Sequence, residues 1–182
     1  MALKKLTKND APKIITDKEK ILSQNDFIVS KTDKKGVITY GNRIFIEISG
    51  YEKGEIIGAN HNLIRHPFMP QIAFKILWEK ISQKKEFFGF VKNLSKDGGY
   101  YWVFAYITAD LDPKGNILGY TSVRRKASQA AINEITSIYK ELNNAQERGG
   151  INASDKLLNE YLNDNKTTYE KFVHQLQMGT LV

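Results

Sequence analysis

The chain contains no cysteine. That absence excludes disulfides, thiolate zinc sites, iron–sulfur clusters and thioether-attached haem, so any cofactor has to be held by other side chains. Proline is scarce, at 4 residues, and two of these, Pro67 and Pro70, fall so close together that they forbid a continuous helix there. No apolar run approaches the ~18 residues needed to cross a bilayer. The opening MALKKLTKNDAPK has no hydrophobic signal-peptide core. The expectation is a cytoplasmic protein with no transmembrane segment, brought to the inner membrane face only through a partner. A Ser-His-Asp set, a Walker A loop and a Rossmann glycine string are all missing, and His61 and His66 stand without the acid or thiol neighbours of a zinc site. The chain does not read as an enzyme.

What is present is ordinary for a soluble globular protein: 182 residues, 41% hydrophobic and 26% charged, enough for one domain with helical extensions. The net charge is +7, but the lysines are interleaved with acids, which points to a solvated surface and not to a nucleic-acid face. Arg124, Arg125 and Lys126 form the only tight basic cluster outside the N-terminus; they end a strand, so they equally read as its exposed exit.

Along the chain, residues 1–25 read as a polar arm leading into a short helix at about Asp17 to Gln24. A β-hairpin follows, with Phe27 to Ser30 and Val37 to Tyr40 flanking the turn D33-K34-K35-G36. Asn42 is an N-cap for an apolar-periodic helix that Gly50 ends. The segment Asn62 to Pro70 is irregular and expected to face a ligand. A longer helix then runs from Pro70 to about Lys84. Three strands in a meander complete this part: Phe87 to Leu94, Tyr100 to Asp110 and Ile117 to Arg125. The middle strand is apolar or aromatic on both faces, so it has to be covered twice, by the short helices on one side and by a flanking helix or second subunit on the other. After Lys126, Ile132, Ile135, Ile138 and Leu142 recur at helical spacing up to Gly149-Gly150. A second amphipathic stretch carries Leu157 to Leu162 and, after a polar interruption, Tyr169 to Leu176, suggesting a helical hairpin or dimerisation element.

This α+β order, together with the runs D26-F-I-V-S-K-T-D33, F45-I-E-I-S-G-Y51, E55-I-I-G-A-N-H-N62, R65-H-P67, M69-P70, V91-K-N93 and I117-L-G-Y-T-S-V-R-R125, resembles the PAS domain of Aer-type aerotaxis receptors and CetB-like energy-taxis proteins. The likeness extends from Asp26 to Leu142. It implies a PAS sensor domain over 26–126, a five-stranded antiparallel sheet with short helices on one face, and a C-terminal helical extension over 127–182. It also implies bound FAD, with redox or energy state relayed in trans to a membrane-bound chemotaxis receptor, and a homodimer through the flanking helices or sheet face. The positions that match the family's cofactor pocket are Asn42, Asn62, Arg65 and His66, with Phe87 as aromatic wall. Trp78 joins this candidate set, although it also reads as a core residue, as does Trp102. The family string runs R-H-P-D-M-P and places tryptophan where Phe87 stands; Phe68 replaces its aspartate. Haem held by a histidine, or a cofactor-free PAS adaptor, are the alternatives.

Overall fold

The computed structural model of the chain describes residues 5–180. Its strands are β1 (Ile28–Asp33), β2 (Ile38–Gly41), β3 (Phe87–Leu94), β4 (Tyr100–Leu111) and β5 (Ile117–Lys126). They form one antiparallel sheet in the order β2-β1-β5-β4-β3. The first and last strands therefore meet at its centre, paired from Ile28 opposite Arg124 to Asp33 opposite Gly119. Gly119 is required by this approach, because a Cβ there would lie 2.0 Å from the Thr32 carbonyl oxygen.

Between β2 and β3 the chain crosses one face of the sheet as α1 (Arg43–Ser49), α2 (Lys53–Ile56), a 3-10 turn (His61–Ile64) and α3 (Gln71–Ser82). The Asn42 side chain caps α1 by accepting from the Phe45 N–H, and Gly50 closes it in the left-handed conformation. Proline at position 70 offers α3 no side-chain cap. The Gln71 N–H donates instead to Gln146 Oε1 of a C-terminal helix, 3.0 Å away, which satisfies one of the orphan donors of the first turn.

Strand β4 shows why the sheet needs two covers. Tyr101, Val103 and Ala105 point into the core beneath α1, α2 and the 3-10 turn, with Ile28, Phe45, Leu63 and Ile64. Trp102 and Phe104 point the other way. That second face is covered by the chain itself, through α4 (Gln129–Asp164) and α5 (Tyr169–Met178). Helix α4 is broken at Gly149–Gly150, where Gly150 has φ 70° and ψ −170°, a region open essentially to glycine alone. The two arms fold side by side, with Tyr161 of the second in electrostatic reach of Glu134 and Glu141 of the first. Ala131, Ile135, Tyr139, Leu142, Leu158, Leu162, Phe172, Val173 and Leu176 form one cluster with Trp102, Phe104 and Phe90. The helical hairpin expected after Lys126 is thus the second cover.

The helix expected at Asp17 to Gln24 does not form. This stretch runs extended beside the β3–β4 turn, with the Thr16 N–H on the Gly98 carbonyl and the Lys20 N–H on the Tyr100 carbonyl. Only Leu22 is buried, while Ile21 is exposed. A helix with a single residue to bury has nothing to offset its nucleation cost, whereas the sheet end supplies backbone partners.

Phe172 is 1% exposed and stacks edge-on against Tyr161 at 5.4 Å. Phe172→Ala should cost about 3–5 kcal/mol and loosen the hairpin from β4, seen as a lower urea midpoint and a red-shifted emission from Trp102.

Candidate functional site

The inner face of the sheet is not fully filled by the helices, and a cavity of about 250 Å³ remains between it and α3. Strand parity decides its lining. Ser30 and Thr32 of β1, Val91 and Asn93 of β3, Ala105 and Ile107 of β4, and Tyr120, Ser122 and Arg124 of β5 all face inward. Helix α3 presents Phe74, Leu77, Trp78 and Ile81 to it, a spacing of i, i+3, i+4 and i+7 that forms one helical face. The rim is closed by Lys35, Gly36, Asn60, His61, Asn62 and Arg65. Among these residues are three permanent cations and no carboxylate.

The closed end is polar. Arg124 is 3% exposed; its Nη2 donates to Ser30 Oγ, and its guanidinium carbon lies 4.9 Å from the Phe45 ring centroid. The Ser30 hydroxyl also meets His61 Nε2 at 3.2 Å, and the His61 ring stacks on Phe45. Burial, reinforced by the charge of Arg124, depresses the pKa of His61 to about 3. Asn93 is buried with its Nδ2 unpartnered.

A second groove of about 530 Å³ adjoins the cavity and shares Asn62, Arg65, Phe74 and Trp78 with it. Lys8, Lys75, and Asn143, Gln146 and Ile151 of α4 complete it. Together the two spaces fall within the ~300–1,000 Å³ of small-molecule sites. Apolar walls for a flat ring, amide and guanidinium donors for its edge and cations along the exit for phosphates make this chemistry fit a flavin nucleotide. His61, the imidazole that lines the cavity, is engaged by Ser30, which disfavours a haem ligand there.

Of the residues expected from sequence, Asn62, Arg65 and Trp78 come together at the junction of cavity and groove. Arg65 lies over the Phe74 ring at 3.8 Å, and its backbone bridges to Asn93, which draws the irregular segment onto β3. Trp78 is 44% exposed and meets Tyr120 edge-on; it is a wall of the mouth and not a core residue.

Asn42, His66 and Phe87 lie outside the lining. Asn42 Oδ1 accepts from the N–H groups of Phe45 and Val29, and its Nδ2 donates to the Phe27 carbonyl: the first bond caps α1 and the other two tie that cap to the start of β1. His66 Nδ1 accepts from the Phe68 N–H and its ring abuts Tyr100, so it shapes the loop. Phe87 backs the wall from behind, packed with Leu77, Ile81 and Tyr120 and stacked on Tyr169. Phe68 turns toward α4, where its carbonyl accepts from Asn143 Nδ2.

Sequence reasoning missed Arg124, Asn93, Ser30 and Ser122. Arg124 is the reverse of the exposed strand exit considered for it; Arg125 is exposed and Lys126 half-buried. The signal was parity, since polar residues occur at inward positions of three strands.

His61 and His66 are both held neutral, at about 3 and about 4, by burial first and by neighbouring cations second. Unfolded imidazole titrates near 6.5, so unfolding takes up protons below that pH. Stability should be flat above pH 6.5 and fall as pH drops below it, by up to about 2 kcal/mol per histidine at pH 5, and His61→Asn with His66→Gln should flatten the urea-midpoint profile. Asn42→Ala should cost about 1–2 kcal/mol while ligand uptake by the folded variant stays unchanged.

A family model for the PAS fold matches residues 38–124. The chain is 36% identical over 129 residues to the aerotaxis receptor of Escherichia coli strain K12, a match that spans 71% of this chain and 25% of that protein. It is 28% identical over 130 residues to the nitrogen fixation regulatory protein of Klebsiella pneumoniae, spanning 68% of this chain and 26% of the relative. The chain thus spans about a quarter of the length of these curated relatives. Among solved structures, a light-oxygen-voltage domain studied with a flavin analogue superposes with a TM-score of 0.54 at 22% identity, covering 63% of this chain and 86% of that one. The light-state structure of the Aureochrome1 blue-light photoreceptor domain gives 0.53 at 23% identity, covering 67% and 93%; both likenesses speak to the fold alone. The strand order, the helix-covered cavity and the matched residues together show that this chain carries a PAS domain, similar to the aerotaxis receptor in sequence.

Proposed function

We propose that the protein is a cytoplasmic sensor that holds FAD in the cavity beneath its sheet and relays redox or energy state to a membrane-bound chemotaxis receptor. The observation that carries this reading is the lining itself: apolar walls, buried donors at the closed end, cations along the exit and no carboxylate. A ligand rich in acceptors and negative charge suits such a surface, and a cationic one does not. The likeness to the aerotaxis receptor supports the choice of signal.

Bound FAD supplies a redox couple whose ring edge changes in charge and proton content. The chain's own residues then have distinct tasks. Leu77, Ile81, Val91 and Ile107 would exclude water from a bound ring, Asn93 and Arg124 would donate to its acceptors, and Arg65 at the rim would pair with its phosphates. Helix α3 is the relay, because its inner face lines the cavity while its other side is tied to the hairpin. Lys75 pairs with Asp155 and Lys80 with Glu170, and Gln146 caps its first turn. A shift of the α3 face on a change of ligand state moves the hairpin, so residues 26–126 sense and 127–182 transmit.

Gently purified protein should show flavin absorption bands, and heating should release FAD identified by chromatography. Arg65→Ala should weaken FAD by about tenfold to a hundredfold, the worth of a charge-assisted contact. Oxidised and dithionite-reduced protein should differ in binding to vesicles carrying the receptor. Colourless protein that also refuses FAD on reconstitution would sink the flavin reading, a Soret band would replace it with haem, and equal vesicle binding in both states would remove the relay.

A further inference from the structure

A buried guanidinium is normally compensated by a carboxylate, because taking a lone charge out of water is costly. Arg124 is buried and has none. One nitrogen donates to Ser30 Oγ, while Nε and Nη1 meet no partner. The groups packed around it add no negative charge. His61 shares the same hydroxyl and is neutral, and the Tyr101 hydroxyl is buried, unpartnered and pushed up to about 12. Opposite Arg124 in the sheet register stands Ala105, too small to cover the guanidinium. Asn93 Nδ2, equally buried and unpartnered, faces the same cavity from β3. Two buried donors from different strands, in a cavity with no carboxylate, specify what they are built to meet: an electron-rich edge carrying acceptor oxygens or nitrogens.

We propose that Arg124, seconded by Asn93, recognises the bound ligand by such an acceptor edge and favours the more negative of its states. This rests on the flavin reading for the ligand's identity and for its two redox states. Two consequences separate it from a structural role. Without ligand the charge is a liability, so its removal does not weaken the fold. With ligand it binds the reduced, more negative form better than the oxidised one.

The test uses the full chain with Arg124→Met and Arg124→Lys. Expected for Arg124→Met are a thermal midpoint of the FAD-free protein equal to or above that of the parent and a FAD affinity more than tenfold weaker. The ratio of reduced to oxidised affinity should fall at least tenfold, which for a two-electron couple lowers the potential by about 30 mV. Arg124→Lys, which keeps the charge, should recover most of that ratio. A lower midpoint for the FAD-free Arg124→Met protein, combined with parental FAD affinity and potential, would make Arg124 a strut between β5 and β1 and overturn the proposal. If the parent takes up no FAD, the flavin reading alone fails, and acetate decides the rest. Stabilisation of the parent but not of Arg124→Met by acetate, at matched ionic strength in chloride, upholds the anion-edge role; equal responses overturn it.

Discussion

The structure depends on a single constraint: β4 is apolar on both faces and has to be dry on both. Tyr101, Val103 and Ala105 on one side and Trp102 and Phe104 on the other are all buried, and burying aromatic side chains supplies a large share of the driving force for a domain of this size. Everything else is arranged to meet that demand. The short helices between β2 and β3 roof one face, and the broken α4 with α5 roofs the other. Tyr139 fixes the second roof further, since its hydroxyl donates to the Phe90 carbonyl at 2.8 Å and so anchors the hairpin to an edge strand.

The two roofs are not independent, and that gives the cavity a mechanical connection to the rest of the chain. Helix α3 belongs to both. Phe74, Leu77, Trp78 and Ile81 line the cavity, whereas Ile72 and Ala73 pack in the cluster with the C-terminal helices. Its N-terminus is capped from α4, and two of its lysines pair with acids of the hairpin. The ion pairs, being partly exposed, contribute little stability; their value is in fixing the position of the hairpin relative to α3. A change of shape in the cavity therefore has a packed route to the outer helices, through a rigid element with one face on each.

Polarity is also distributed with a consequence. The inner face of a sheet is normally the place for valine, leucine and isoleucine, yet here it holds Ser30, Asn93, Ser122 and Arg124. Arg124 in particular costs stability unless something compensates its charge. Residues that break the local rule for burial mark the place where the fold gives up stability, which under the proposed function serves ligand recognition.

Much of this was legible in the sequence. All five strands, the capped α1 and the long α3 were set by alternation, by Asn42 and Gly50 and by the stripe ending near Lys84, because hydrophobic period and cap chemistry are local properties. The break at Gly149-Gly150 was equally local. The demand for a second cover on β4 followed from its two apolar faces. What covers it, and which polar residues share a cavity, did not follow. The extended run of Thr16 to Lys20 is decided by backbone partners on the β3–β4 turn, and the inward aim of Arg124 by its pairing opposite Ile28 and Ala105. His66 and Phe87 had the right chemistry for the site but the wrong address, because a residue's neighbours across a sheet or loop are set by register and chain reversal. The sequence by itself determined the elements and their apolar faces, which depend on near neighbours; only the tertiary structure decided which donors meet in one place, because Ser30 and Arg124, 94 residues apart, become partners only when β1 and β5 close the sheet.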